Sequence, residues 1–139
     1  MSRDIIDKLP GSSPRGIRNK NPGNIEDNGT PWRGRLGNDG RFIIFDKPEN
    51  GIRAIARILN TYQSKYNINT LEGIINRWAP PHENDTDAYI THAEKVLKIS
   101  RHTPIGYQHY EPLIKVIIKH ENGVQPYDSK VIRDGIEAA

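Results

Sequence analysis

The stretch "YEPLIKVIIKHENG", residues 110–123, decides how the chain is read. Tyr110, Leu113, Ile114 and Ile117 follow the i, i+3, i+4, i+7 rhythm of a buried helical stripe. Glu121 continues that rhythm, four residues after Ile117, while Glu111, Lys115 and Lys119 fall on the other side. Asn122-Gly123 then stops the helix. A carboxyl on the inward face is costly unless something there uses it. Its position at the negative end of the helix dipole and its partial burial both favour the protonated form. The bland alternative is a frayed last turn in which Glu121 reaches water.

Outward from this helix the sequence reads as helices around one small hairpin. Residues 1–14 form a loose arm ending in Gly-Ser-Ser-Pro, and "RGIRNKNPGNI" (15–25) is a structured loop rich in Asn, Gly and Pro. "WRGRLGNDGRFIIF" (32–45) reads as a β-hairpin, with "RFIIF" a good strand and Gly-Asn-Asp-Gly supplying residues that tolerate the turn's dihedrals. "DKPENGIRAIARILNTYQSKY" starts a helix with Asp46 as cap, Pro48 in the first turn and Glu49 completing a capping box. Ile52, Ile55, Ala56, Leu59, Tyr62 and Tyr66 mark its buried face. Thr70 caps a short helix with Leu71, Ile74, Ile75 and Trp78 inward. A third helix starts near Asp85–Thr86 and carries Tyr89, Ile90, Ala93, Val96 and Leu97. A small last helix is capped by Asp128 or Ser129. The layout is α+β and mainly helical, in one domain over residues 15–139.

Bulk properties limit the function. At 139 residues the chain has room for one core. It has no cysteine, which removes disulfides, thiolate zinc sites and a cysteine nucleophile together. Twenty Lys+Arg against seventeen Asp+Glu give +3, scattered without a basic stripe, so no nucleic-acid partner is expected. No apolar run is long enough to span a bilayer, and the N-terminus lacks the apolar region of a secretory leader. The five histidines show no metal-ligand spacing, and no G-x-S-x-G or P-loop occurs. Neither metal nor cofactor is expected. Carboxylates remain, and a protonated one can give its proton to a glycosidic oxygen.

"LIKVIIKHENGVQPYDSKVIRDGI" resembles the catalytic segment of lytic transglycosylases and goose-type lysozymes, in which an apolar helix ends in the acid Glu. "NKNPGNI", "WRGR" and "FIIFDKPENGIRAIARIL" resemble the Asn-rich loop, Trp-Gly element, strand and helix of bacterial cell-wall glucosaminidases. "HENDTDAYITHAEKVL" is similar to the Glu-Thr-x-x-Tyr-Val helix of the transglycosylases through Glu83, Thr86, Tyr89 and Val96. With "RGIRNKNPGNI" near the start and "HENG" near the end, residues 15–137 resemble phage proteins related to the nucleocapsid lytic enzyme of double-stranded RNA bacteriophages. The order departs from the family, where the acid helix precedes the loop and hairpin. That implies a lysozyme-like fold with a small β-hairpin lobe, circularly permuted, a change surface termini allow.

The resemblance implies an enzyme that cleaves the β-1,4 bond between N-acetylmuramic acid and N-acetylglucosamine in peptidoglycan, as a lytic transglycosylase or a muramidase. Glu121 is its acid, with Glu83 as the candidate second carboxylate. Asn21, Asn24, Trp32, Asn84, Tyr89 and Tyr127 are the candidate sugar-binding residues. Such an enzyme is made in the bacterial host cytoplasm and acts on the wall, by holin-dependent release or from within the virion. The competing readings are a non-catalytic virion structural or wall-binding module and a peptidoglycan endopeptidase.

Overall fold

A computed structural model describes residues 13–139; the arm expected over 1–14 lies almost wholly outside the described residues. Where a continuous loop was expected, Arg15–Arg18 form one turn of helix, α1, with Pro14 at its N-cap. Proline holds a helix-compatible φ and has no N–H to leave unsatisfied at that end. The chain then turns through Lys20 and Asn24, both with left-handed backbone.

The hairpin pairs β1 (Arg35–Asn38) with β2 (Ile43–Phe45) in antiparallel register, Asn38 opposite Ile43 and Arg35 opposite Phe45. A bulge between Arg35 and Gly37 leaves Leu36 exposed. Asp39 holds the turn. Its carboxylate accepts the Phe42 and Arg41 N–H groups at 2.8 and 3.1 Å, Arg15 Nε at 2.6 Å and Asn19 Nδ2 at 2.8 Å. Hairpin and α1 are thereby joined through one residue.

The Arg15 guanidinium beside Asp39 holds its carboxyl well below the usual carboxylate range, against the opposing effect of burial. A depressed folded pKa contributes stability that is present above the unfolded value, near 4, and is lost as pH falls below it. Thermal melts should therefore be flat with respect to Asp39 above about pH 5 and decline below about pH 4. An Asp39→Asn variant should melt lower at neutral pH and lose part of that acid dependence. Equal slopes in both proteins would show that the Asp39 cluster stabilises nothing.

Helix α2 (Pro48–Tyr66) corrects the expected capping box: Lys47 occupies the N-cap and no side chain caps it. The Asp46 carboxylate instead accepts Asn50 Nδ2 at 2.8 Å, and its N–H donates to Gly34 O at 2.8 Å. Asp46 thus belongs to the hairpin's exit. The other caps form as expected. Thr70 accepts Gly73 N–H ahead of α3 (Leu71–Trp78), Asp85 accepts Ala88 N–H ahead of α4 (Thr86–Leu97), and Asp128 accepts Val131 N–H ahead of α6 (Ser129–Glu137).

A turn of 3₁₀ helix at Tyr107–His109 leads into α5 (Tyr110–Asn122), which ends on left-handed Gly123. Leu113, Ile114 and Ile117 join Ile55, Leu59, Ile74, Ile75 and Trp78 in a single core, and α5 touches α1, α2, α4 and α6. Helix α6 lies close on α2 because residue 135 is glycine; a Cβ there would meet Ile52 Cγ2 at 2.6 Å. Two expected core residues are exposed instead. Tyr66 and Val96 occupy the last turns of α2 and α4. The Tyr66 ring lies under the Lys65 and Arg77 side chains. No helix among the described residues is long and apolar enough to cross a membrane.

Candidate active site

Glu121 is 4% exposed in the last turn of α5, so the turn does not fray into water. The Asn-rich loop is latched onto this helix end by two amides. Asn24 Nδ2 donates to the Glu121 main-chain oxygen at 3.2 Å. Asn122 Nδ2 donates to Pro22 O at 2.8 Å and to Ile118 O at 3.0 Å. Because all three partners are carbonyls, which only accept, the orientation of both amides is fixed. Each such bond is worth about 1 kcal/mol net, and losing one leaves a buried group unsatisfied at higher cost.

The amide oxygens of Asn24 and Asn122 turn toward Gly16 in α1. A Cβ built on Gly16 would lie 2.5 Å from Asn122 Oδ1, 2.7 Å from Asn24 Oδ1 and 2.8 Å from Asn21 O. The first turn, the loop and the end of α5 therefore meet at a point where only glycine fits. Residues 97 apart in sequence are bonded there (Asn24 to Glu121).

On the neighbouring face of α5 the His120 ring stacks on Tyr89, with centroids 4.0 Å apart and planes within 12°. His120 Nε2 lies 2.8 Å from His92 Nδ1. At that distance one ring donates and the other accepts, which couples the tautomers of the two rings. This α4–α5 contact escaped the sequence reading, since nothing local pairs positions 92 and 120.

The other expected site residues divide. Asn21 is fully buried, with its amide bonded to Ile25 O and Ile43 O and its oxygen accepting Ile25 N–H, so it braces the loop instead of facing a ligand. Asn24 works likewise through its latch. Tyr89 is buried under His120 and offers no open ring face. Tyr127 packs against the core with its phenol oxygen buried; burial, helped by the Glu49 charge, pushes the phenol up to about 12.

Glu83 lies exposed in the loop between α3 and α4, 3.6 Å from His82, and Asn84 bonds Pro80 O in the same loop. Asn84 lines a groove of about 410 Å³ with Glu72, Asn76 and Arg101. No described contact brings either residue to Glu121. Trp32 is half-buried and walls a groove of about 420 Å³ with Ile25, Glu26, Asn28, Tyr66 and Arg77. That groove includes Ile25, one residue after Asn24, but Glu121 is not among the residues that line it. Tyr66 was absent from the expected site because its helical position pointed to the core, and nothing in the local pattern singled out Arg77. Among the described residues no three His, Asp or Glu side chains cluster to hold a metal ion.

Fold and site thus define a small, mainly helical α+β protein whose fifth helix delivers a buried glutamate to an Asn-rich loop. No protein-family model matches the chain. It is 44% identical over 128 residues to protein P5 of Pseudoalteromonas phage PM2, an alignment covering 88% of this chain and 80% of that protein. The chain belongs to the same bacteriophage protein family as P5.

Proposed function

We propose that this protein degrades peptidoglycan, cleaving the β-1,4 bond from N-acetylmuramic acid to N-acetylglucosamine with Glu121 as acid. One observation carries the reading: a glutamate buried at the end of the core helix, where the Asn-rich loop binds its main-chain carbonyl. Burial disfavours the charged form of a carboxyl, and so does the negative end of a helix. In this reading the domain is lysozyme-like with its acid helix moved to the C-terminal side. The groove walled by Trp32, Tyr66 and Arg77 takes the glycan, the Trp32 ring meeting sugar C–H surfaces and Arg77 an acidic substituent.

Glu121 gives its proton to the bridging oxygen as the C1–O bond breaks and positive charge develops on the muramyl ring. The muramyl C6 hydroxyl then attacks C1 and returns its proton to the Glu121 carboxylate. A 1,6-anhydro ring closes, the acid is regenerated and no water is consumed. One carboxylate suffices for this route, whereas hydrolysis recruits a second to activate water. The protein then serves phage lysis or entry, acting on the bacterial wall. The test is clearing of purified sacculi by the unaltered protein and by Glu121→Gln. Loss of clearing only in the variant supports the reading, and equal clearing ends it.

A further inference from the structure

At the opposite end of α5, roughly 17 Å along the helix from Glu121 by the rise per residue, a second groove has the composition of a sugar site. Its volume is about 480 Å³, and Asn60, Gln63, Ser64, Tyr107 and Tyr110 line it. Tyr107 is 64% exposed, an aromatic ring standing in water against Tyr110 at a centroid distance of 5.8 Å.

The polar groups are pre-set. Tyr110 OH donates to Asn60 Oδ1 at 2.6 Å and accepts from Gln63 Nε2 at 3.0 Å. The hydroxyl takes one donor and one acceptor from the two amides, which leaves one amide N–H donor and one amide oxygen acceptor from Asn60 and Gln63 in the groove that Tyr107 also lines. A donor, an acceptor and a hydroxyl next to an aromatic face match the alternating hydroxyl and N-acetyl groups of an aminosugar over its apolar C–H face. Holding them in advance lowers the ordering cost of binding.

We infer that the Tyr107 groove is a second glycan-binding site for β-1,4-linked N-acetylated aminosugars, separate from the Glu121 end and serving attachment to the wall. The inference rests on the wall-directed reading above, and the experiment separates the two. The full chain carrying Glu121→Gln is titrated with the soluble N-acetylglucosamine tetramer while the Tyr107 ring and the Asn60 and Gln63 side-chain amides are followed by NMR. Saturable shifts at those groups are expected, with affinity about tenfold weaker when Tyr107→Ala is added. Because Tyr107 is exposed, that substitution should leave the melting temperature in place; Gln63→Ala gives an independent second variant.

Shifts confined to the Trp32 groove, unchanged affinity in both variants, or binding of a protein but no glycan would overturn the inference. Digestion of sacculi by the unaltered chain alongside any of these would leave the proposed function standing. Absence of both digestion and tetramer binding would remove the two together.

Discussion

Replacing Glu121 by Gln is expected to reduce sacculus clearing by at least about 10²-fold and toward 10⁴-fold, the range that a positioned proton donor contributes. The melting temperature should stay within a few degrees. Gln keeps the shape of the side chain and can still hydrogen-bond at a buried position, whereas it has no proton to give to a glycosidic oxygen. The latch is unaffected, because Asn24 binds the main-chain oxygen of residue 121 and not its carboxyl. A large drop in melting with activity scaling to the folded fraction would instead make the carboxyl a structural group.

Gly16→Ala is expected to do the reverse. The added methyl would sit within 2.8 Å of Asn122 Oδ1, Asn24 Oδ1 and Asn21 O, one of them backbone and two held by buried hydrogen bonds. Room can come only from breaking the latch or displacing α1, since amide rotation would turn Nδ2 away from its carbonyl partners. Overpacking of this kind costs about 1–3 kcal/mol, and each broken buried bond adds about 1–3 kcal/mol. A loss of about 3 kcal/mol lowers the melting temperature of a chain this size by roughly 10 °C. An unchanged melt would mean that the three segments do not meet as described.

The two substitutions therefore separate chemistry from assembly at one place. The first should abolish activity in a folded protein. The second should unseat the loop from the helix end, with sacculus clearing falling as the latch on residue 121 is lost.

The helices were legible because their signals are local. The stripe from Tyr110 to Glu121, the caps at Thr70, Asp85 and Asp128, and the hairpin turn each occupy a few consecutive residues. Asp46 misled because a cap signal cannot show that a neighbouring strand has already engaged that residue. The carboxyl's burial was legible from periodicity, but its latch was not. Asn24 and Glu121 are distant in the chain, and an Asn in a loop serves equally to hold backbone or to meet a ligand. Tyr89, Asn21 and Tyr127 entered the expected site through the resemblance and their side-chain chemistry, and packing turned all three inward. The His92–His120 pair and the crowding at Gly16 exist only once α1, α4 and α5 are assembled.

The products released from the wall decide the reaction. The most direct measurement is mass spectrometry of the soluble fragments released from purified sacculi, with Glu121→Gln as the paired control. Disaccharide-peptides ending in 1,6-anhydromuramic acid, absent from the control, are the expected result. Freed peptide stems on intact glycan strands, or identical fragments from both proteins, would contradict a glycosidic cut made by Glu121.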